Sequence, residues 1–503
     1  MSSVDEALGP LEPERSVGYL RLLMLLLLPA ALFNSFDAEL RALLLPEIQS
    51  TFHVSVATLG LMNIPIQAGQ FASYFVIRFA DKVGRRRILL WSIVGYTLFT
   101  GATAASFNIY SYASLQFGAQ LFIGTEFGAA VLMVVEEFPE EKRGRALARL
   151  LLFGPLGGIF AGLLGASGLQ HTDLGWRSFY LVGIVPLLVV SVGRHWMRES
   201  RVFLASRQKE QASRQDERYS SQQLATSLEK QGAVAPLSEP NMDEPSMDEP
   251  SMAILHLSAK SHDPIPEKPH DLPKDQAIPG YSKKSGKQEL TSVLSAWSKV
   301  MFEAWHGQTK KYIILVGLIS FLQTLPATAA IGWWAFYAER ERHFPSTEAS
   351  TFFAIAAAVS MAGYYLCGRS MERFGRKPTA ILFVAGSVVS GVAVFQLHGS
   401  IFILIALVLA AGFGLGIGPV LSAFATELFP TEVRAQASAW IRNGFANTGS
   451  LLGPAIVGVL AQPTGLIGNV GNSVSLLALL AVPAMWIVWR YIPETKGIDL
   501  AKE

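Results

Sequence analysis

Apolar residues in this chain fall in long runs separated by short polar turns, and the length of the runs sets the predicted elements. A helix needs about 20 apolar residues to cross the roughly 30 Å hydrocarbon core of a bilayer. Runs of that order cover 19–45, 55–79, 88–107, 109–135, 146–168 and 176–197, then 311–336, 347–371, 378–396, 400–427, 437–461 and 472–491. The fold class they predict is an all-α membrane protein with twelve transmembrane helices in two six-helix bundles. Between the two sets of runs the texture changes. Ser, Gln, Glu, Lys and Pro dominate residues 207–290, and Met-Asp-Glu-Pro-Ser occurs at 242–246 and again at 247–251. Such a segment cannot bury enough apolar surface to fold, so a largely disordered linker is expected. At its end Val293, Leu294, Ala296, Trp297, Val300, Met301 and Trp305 recur at helical spacing, which predicts an amphipathic interfacial helix near 292–306. The expected organisation is a tail at 1–17, a bundle at 18–201, a linker at 202–310, a second bundle at 311–492 and a tail at 493–503.

Charge gives these elements a direction. Lys and Arg cluster at 82–87, 142–149, 369–377 and Arg434, all in alternate connections, whereas the other connections hold only Arg177, Arg340 and Arg342. By the positive-inside rule the clustered side is cytoplasmic, and with it both termini and the linker. The expected protein is a multi-pass monomer of the cell membrane.

Half of the residues are hydrophobic, which no soluble chain of this length would conceal, while the formal net charge of +2 gives no reason to expect a nucleic-acid partner. The single cysteine, Cys367, lies in an apolar run, so no intrachain disulfide framework exists. Asp5, Glu6, Glu12 and Glu14 give the first residues the wrong charge for a signal peptide.

The densest charged turn, Asp81-Lys82-Val83-Gly84-Arg85-Arg86-Arg87, has an echo at Glu372-Arg373-Phe374-Gly375-Arg376-Lys377, 291 residues later (372 − 81). The same offset carries Glu136, Phe138, Pro139, Glu141 and Arg143 onto Glu427, Phe429, Pro430, Glu432 and Arg434, and Gly158 and Gly162 onto Gly449 and Gly453. One offset serving three separated motifs means that a single unit is present twice. The acids and guanidinium groups at these helix ends can pair across neighbouring helices and form a breakable latch between two rigid halves. The arginines also have a plainer role as markers of the inner face.

The pattern G-x-x-x-D-R/K-x-G-R-R/K, present twice, resembles the signature of the major facilitator superfamily. The second copy, 368–377, has Glu372 for Asp, and the first has Ile77 where the family has glycine. Glu-x-x-Pro-x-x-x-Arg-Gly at 136–144, its partner at 427–435 and Arg198-Glu199-Ser200-Arg201 are similar to the sugar-porter and metabolite:proton symporter branches. The resemblance covers about 16–206 and 310–495. It implies that Asp81, Gly84, Arg85, Glu136 and Arg143, with Glu372, Gly375, Arg376, Glu427 and Arg434, hold the cytoplasmic side shut when the outer side is open.

Ionisable groups inside apolar spans are costly and mark function. Asn34-Ser35-Phe36-Asp37 is similar to the D-G-F-D element of aromatic-acid:proton symporters, with Asn34 in place of the first acid. Asp37 and Arg41 share a helix face, and Glu39, about 200° round from Asp37, points elsewhere. The pair either couples protons or forms a structural ion pair near the outer mouth. Glu126 lies about 15 Å in from Glu136, within the region similar to the family's R-x-x-x-G-x-G-x-G motif, with Gln120 in place of the motif arginine. It is a candidate proton carrier, or else a neutral acid that packs helices. Arg442, with Asn443 and Asn447, can hold a carboxylate or phosphate, or serve as counterion to Glu126 or another acid. Gln323, Trp333 and Trp334, with Asn63, Gln67 and Gln70, can line a cavity. Gly154-Pro155-Leu156-Gly157-Gly158 reads as close helix packing.

No phosphate-cradling loop, metal-ligand cluster or nucleophile elbow occurs, so neither an enzyme, a metal nor a cofactor is expected. The function predicted is secondary active transport of a small solute, an organic anion or related metabolite, by proton-coupled symport through Glu126, with Asp37 as a second candidate. A proton-driven exporter of amphipathic compounds and a non-transporting sensor are the alternatives.

Overall fold

The structure, a computed structural model, describes residues 15–230 and 305–496, and among them every regular element is a helix. The first half of the chain forms α1 (Val17–Leu43), α2 (Leu45–Phe52), α3 (Val56–Ile77), α4 (Ala80–Val83), α5 (Arg85–Thr103), α6 (Ile109–Glu137), α7 (Glu140–Leu152), α8 (Gly154–Ala166), α9 (Arg177–Gly193) and α10 (Arg201–Lys230). The second half forms α11 (Gly307–Phe336), α12 (Ser346–Phe374), α13 (Arg376–Gln396), α14 (Ser400–Gly414), α15 (Gly418–Glu427), α16 (Thr431–Ala439), α17 (Asn447–Leu460), α18 (Val470–Leu479) and α19 (Val482–Tyr491).

Polar residues start several of these helices where the apolar runs begin. The side chains of Ser16, Ser55, Asn108 and Asn469 accept from backbone N–H groups of the first turns of α1, α3, α6 and α18. Prolines break others: Pro155 opens α8, Pro419 opens α15 and Pro483 opens α19, so the runs 146–168, 400–427 and 472–491 each appear as two stacked helices. Tyr337–Glu341 and Trp440–Ala446 are π-helical turns. Among the described residues, eight helical stretches are long and apolar enough to cross a membrane. The remaining expected spans, on α3, α5, α9 and α16–α17, are helical but shorter or more polar.

The apolar core has a shape that matters for function. One large cluster joins both halves, from Phe33, Phe36 and Tyr112 to Trp333, Phe353 and Val457. Towards the charged turns the core divides. Leu23, Leu89, Met133 and Leu150 form one cluster within the first half, and Ile313, Phe383, Phe424 and Val488 form another within the second.

Small residues seal the two halves together at the shared end. A Cβ on Gly60 would lie 2.7 Å from the Cα of Gly458, and one on Gly162 would lie 2.7 Å from the Cβ of Ala354, so α3 meets α17 and α8 meets α12 in near backbone contact. Polar ties reinforce the seal. Asn63 donates to the carbonyls of Ser450 and Leu451 at 3.3 Å, Gln170 donates to Ser346 at 2.8 Å, and Arg340 donates to the Pro46 carbonyl at 3.1 Å.

Residues 209–230 belong to a second compact unit and continue α10 as an exposed polar helix with a Glu210–Arg214 pair at 2.7 Å. The chain is therefore helical further than the polar composition suggested, because Arg, Gln, Lys, Glu and Ala are good helix formers and no proline interrupts them. Residues 292–304, most of the expected interfacial helix, lie outside the described residues. Trp305 packs edge-on against Trp440, their ring centroids 5.1 Å apart.

Candidate functional site

The two charged turns are built alike. In the first, Nε of Arg85 donates to both carboxylate oxygens of Glu136 at 3.0 Å and Nη2 donates to Oε1 at 2.8 Å. In the second, Arg376 grips Glu427 in the same bidentate way, at 3.1 Å from Nε and 2.9 Å from Nη2. Both pairs are separated by 51 residues. Each joins adjacent helices of one half, α5 to α6 and α13 to α15. Neither pair crosses between the halves in this conformation, because the spacing places each acid beside the arginine of its own unit.

A second acid completes each turn, and the sequence reasoning passed over its role. Glu199 accepts from the backbone N–H groups of Arg85 and Arg86 at 2.8 and 3.0 Å, and Glu494 accepts from those of Arg376 and Lys377 at the same two distances. These carboxylates sit at helix N-termini, where backbone donors and the helix dipole favour negative charge. Burial alone would raise the Glu494 carboxyl, but the backbone donors around it outweigh that and lower it. Ser200 and Thr495 then donate to Glu136 and Glu427. The Glu-Ser and Glu-Thr dipeptides at matching places after the last run of each half were the available signal.

Glycine is required at both turns. Gly84 has φ 106° and Gly375 has φ 98°, and a Cβ there would lie 2.4 Å from Oε2 of Glu199 or 2.6 Å from Oε2 of Glu494. The remaining residues of the expected gate are less engaged. Glu372 contributes only a nearby charge to Arg376, Arg434 donates to the Phe429 carbonyl at 3.2 Å, and Nε of Arg143 is buried without a partner. The Asp81 side chain lies outside the described residues.

Asp37 and Arg41 do pair, at 3.0 Å, and both are buried. Gln120 donates to the same Asp37 oxygen at 2.7 Å, and Arg41 also donates to Gln116 at 3.1 Å. The network ties α1 to α6 and ends on Thr103, which accepts from Gln116 at 3.2 Å. Gln120 therefore occupies a working position in the place of the motif arginine.

Glu126 has a partner that was not foreseen. Arg194 donates to its Oε1 at 2.7 Å, with both side chains fully buried, and uses its other N–H groups on the carbonyls of Leu26 and Leu89. The counterion is Arg194 and not Arg442. Arg194 falls inside the apolar run 176–197, and nothing in the sequence pattern marks it as the partner of Glu126.

Arg442 is exposed and its side chain makes no hydrogen bond or ion pair among the described residues; the hydroxyl-bearing rings of Tyr74 and Tyr364 are near its charge. Asn443 accepts from Tyr74 at 2.6 Å, which links the π-turn before α17 to α3. None of Arg442, Asn443 and Asn447 lines the central cavity.

That cavity, of about 240 Å³, lies between the halves. Ser35 and Glu39 on α1 and Pro155 and Gly158 on α8 form one wall; Gln323 and Trp334 on α11, Phe353 and Tyr364 on α12 and Phe395 on α13 form the other. Among its described lining residues Glu39 alone is charged. Glu39 points away from Asp37 as expected, and away from Asp37 is into the cavity. A second chamber of about 160 Å³ also contains Glu39, together with Arg41, Asn63 and Gln67. Trp333 and Trp334 are buried, bonded to the carbonyls of Pro454 and Ala349 at 3.0 and 2.9 Å.

A family model described as Major Facilitator Superfamily matches residues 27–242 and 316–503. The chain belongs to the major facilitator superfamily. It is similar to the niacin transporter of Acinetobacter baylyi, at 22% identity over 93% of each chain. It is also similar to the gallate transporter of Pseudomonas putida, at 23% identity over 93% of this chain and 90% of that one. Among solved structures, the D-xylose-proton symporter superposes with a TM-score of 0.66 at 15% identity, covering 96% of this chain and all of the other. This member of the superfamily is accordingly an integral membrane solute transporter and not an enzyme.

Proposed function

We propose that this major facilitator protein is a secondary active transporter in the cell membrane. Twelve spans form two pseudo-symmetric halves, 18–201 and 311–492, joined by a cytoplasmic linker at 202–310, and one small organic metabolite moves at a time with protons. The observation that carries this reading is the divided core. The halves share one apolar cluster beyond the central cavity and have separate clusters on the side of the charged turns. Rocking about such a cavity exposes it to one side and then the other. With the charged turns placed in the cytoplasm by the positive-inside rule, this conformation is the inward-facing one.

Asp37 is the proton-coupling group in this scheme. Arg41 and Gln120 both donate to it, and Arg41 also lines the second chamber. Glu126 and Arg194 hold the first half together. The anionic cargo expected earlier has no lysine or arginine to meet it in the central cavity. Nicotinate, gallate and xylose, cargo chemistries named for similar proteins, are the first to screen in proteoliposomes with an imposed pH gradient. Accumulation against a concentration gradient that collapses with the pH gradient is the expected result, and downhill equilibration alone for every transported solute would refute coupling. The apolar lining around one carboxylate also favours a second reading, proton-driven export of amphipathic compounds. Uphill uptake of solute into inside-out vesicles, coupled to proton efflux from the lumen, distinguishes it.

A further inference from the structure

Two residues that line the central cavity each carry an acceptor without a donor. Oε2 of Glu39 and Oε1 of Gln323 are both buried without a hydrogen-bond partner. Gln323 donates through Nε2 to Ser387 at 3.1 Å, which turns its carbonyl oxygen away from that partner. The two residues come from opposite halves, α1 and α11, and line the same space. Buried polar groups are normally satisfied, and a buried carboxylate is normally paired. The positive charge that acts on Glu39 is Arg41, already held by Asp37 and Gln116. What the cavity lacks is therefore a donor, preferably one with positive charge.

The rest of the lining agrees. Trp334, Phe353, Tyr364 and Phe395 surround the space, and aromatic faces attract organic cations. At about 240 Å³ the cavity lies below the roughly 300–1,000 Å³ range of drug-sized pockets. We infer that the cargo is a small organic cation, an amine whose ammonium group is taken by Glu39 and Gln323 while its single-ring or short apolar body rests on the aromatic wall. This rests on the transport reading above and adds to it the chemical class of the solute. It also gives binding a mechanical role, because one ammonium that bonds to both Glu39 and Gln323 ties the two halves together across the cavity.

The experiment compares three probes of matched body, phenethylamine, 2-phenylethanol and 3-phenylpropionate, on the purified full-length protein. Binding is read by calorimetry and by the shift in melting temperature. Phenethylamine is expected to bind about tenfold or more tighter than the other two, the advantage of a charged over a neutral hydrogen bond. Glu39→Gln abolishes that advantage, Glu39→Asp keeps part of it, and Gln323→Leu weakens amine binding severalfold. The ligand-free melting temperature and monodispersity of each variant show that it is folded. The inference is overturned if phenethylamine does not bind, if the alcohol or the acid binds as well as the amine, or if Glu39→Gln keeps the amine's advantage. Failure of the transport reading is seen separately: amine binding without any flux in proteoliposomes removes transport but leaves the cation site, whereas flux of an acid without amine binding does the reverse.

Discussion

Arg194 donates to Glu126 at 2.7 Å in a site from which water is excluded on both sides of the pair. Removing one partner strands the other charge, at a cost of about 3–5 kcal/mol, whereas replacing both with apolar residues of similar size is close to neutral. Glu126→Gln and Arg194→Ala should each lower the melting temperature sharply, and Glu126→Leu with Arg194→Met should restore it. The double variant should also accumulate solute against its gradient. A folded double variant without uphill transport would return Glu126 to the proton pathway.

Asp37→Asn separates coupling from translocation. The asparagine still accepts from Gln120 and Arg41 but cannot exchange a proton. Counterflow exchange of a transported solute should persist while accumulation driven by a pH gradient falls to background. Retained uphill transport would exclude Asp37 as the coupling group.

Gly84→Ala and Gly375→Ala test the two charged turns. Each puts a Cβ on a residue with positive φ and against a carboxylate oxygen, so each should cost roughly 1–3 kcal/mol. The loss should appear as a lower melting temperature for both variants, because the two turns have the same construction.

The outer seal should respond to pH through Glu47 on α2. Burial and the neighbouring Glu339 push its carboxyl from an ordinary 4.5 up to about 8, with Arg340 pulling the other way. Between those values the folded protein holds a proton that the unfolded chain has lost, so stability falls as pH rises from about 5 to 8. Glu47→Gln should flatten that part of the melting-temperature profile; an unchanged slope would assign it to other groups.

Much of this architecture is legible from the chain. Apolar run lengths locate the helices, and the 291-residue offset (372 − 81) correctly aligns Arg85 and Glu136 with Arg376 and Glu427. What escapes is which charges meet. Arg194 escapes because it sits inside the run 176–197, and a run length says nothing about which way a side chain within it turns. Glu39 is set aside because only Asp37 shares a face with Arg41, yet that angular separation is what delivers Glu39 to the cavity. For Arg442 the rotation about the helix is what the sequence leaves open. Depth along a helix places it within reach of the centre, but its rotational position leaves it exposed beside Tyr74 and Tyr364.

Because both arginine clasps close within their own half, neither needs to dissociate when the halves tilt. They stiffen two levers instead of bolting them together, so cytosolic ionic strength should have little purchase on the rate of the cycle. The work of opening the outer face then falls on parting close-packed apolar surfaces, where glycine meets glycine, together with a few polar ties at the rim such as Arg340 to the Pro46 carbonyl.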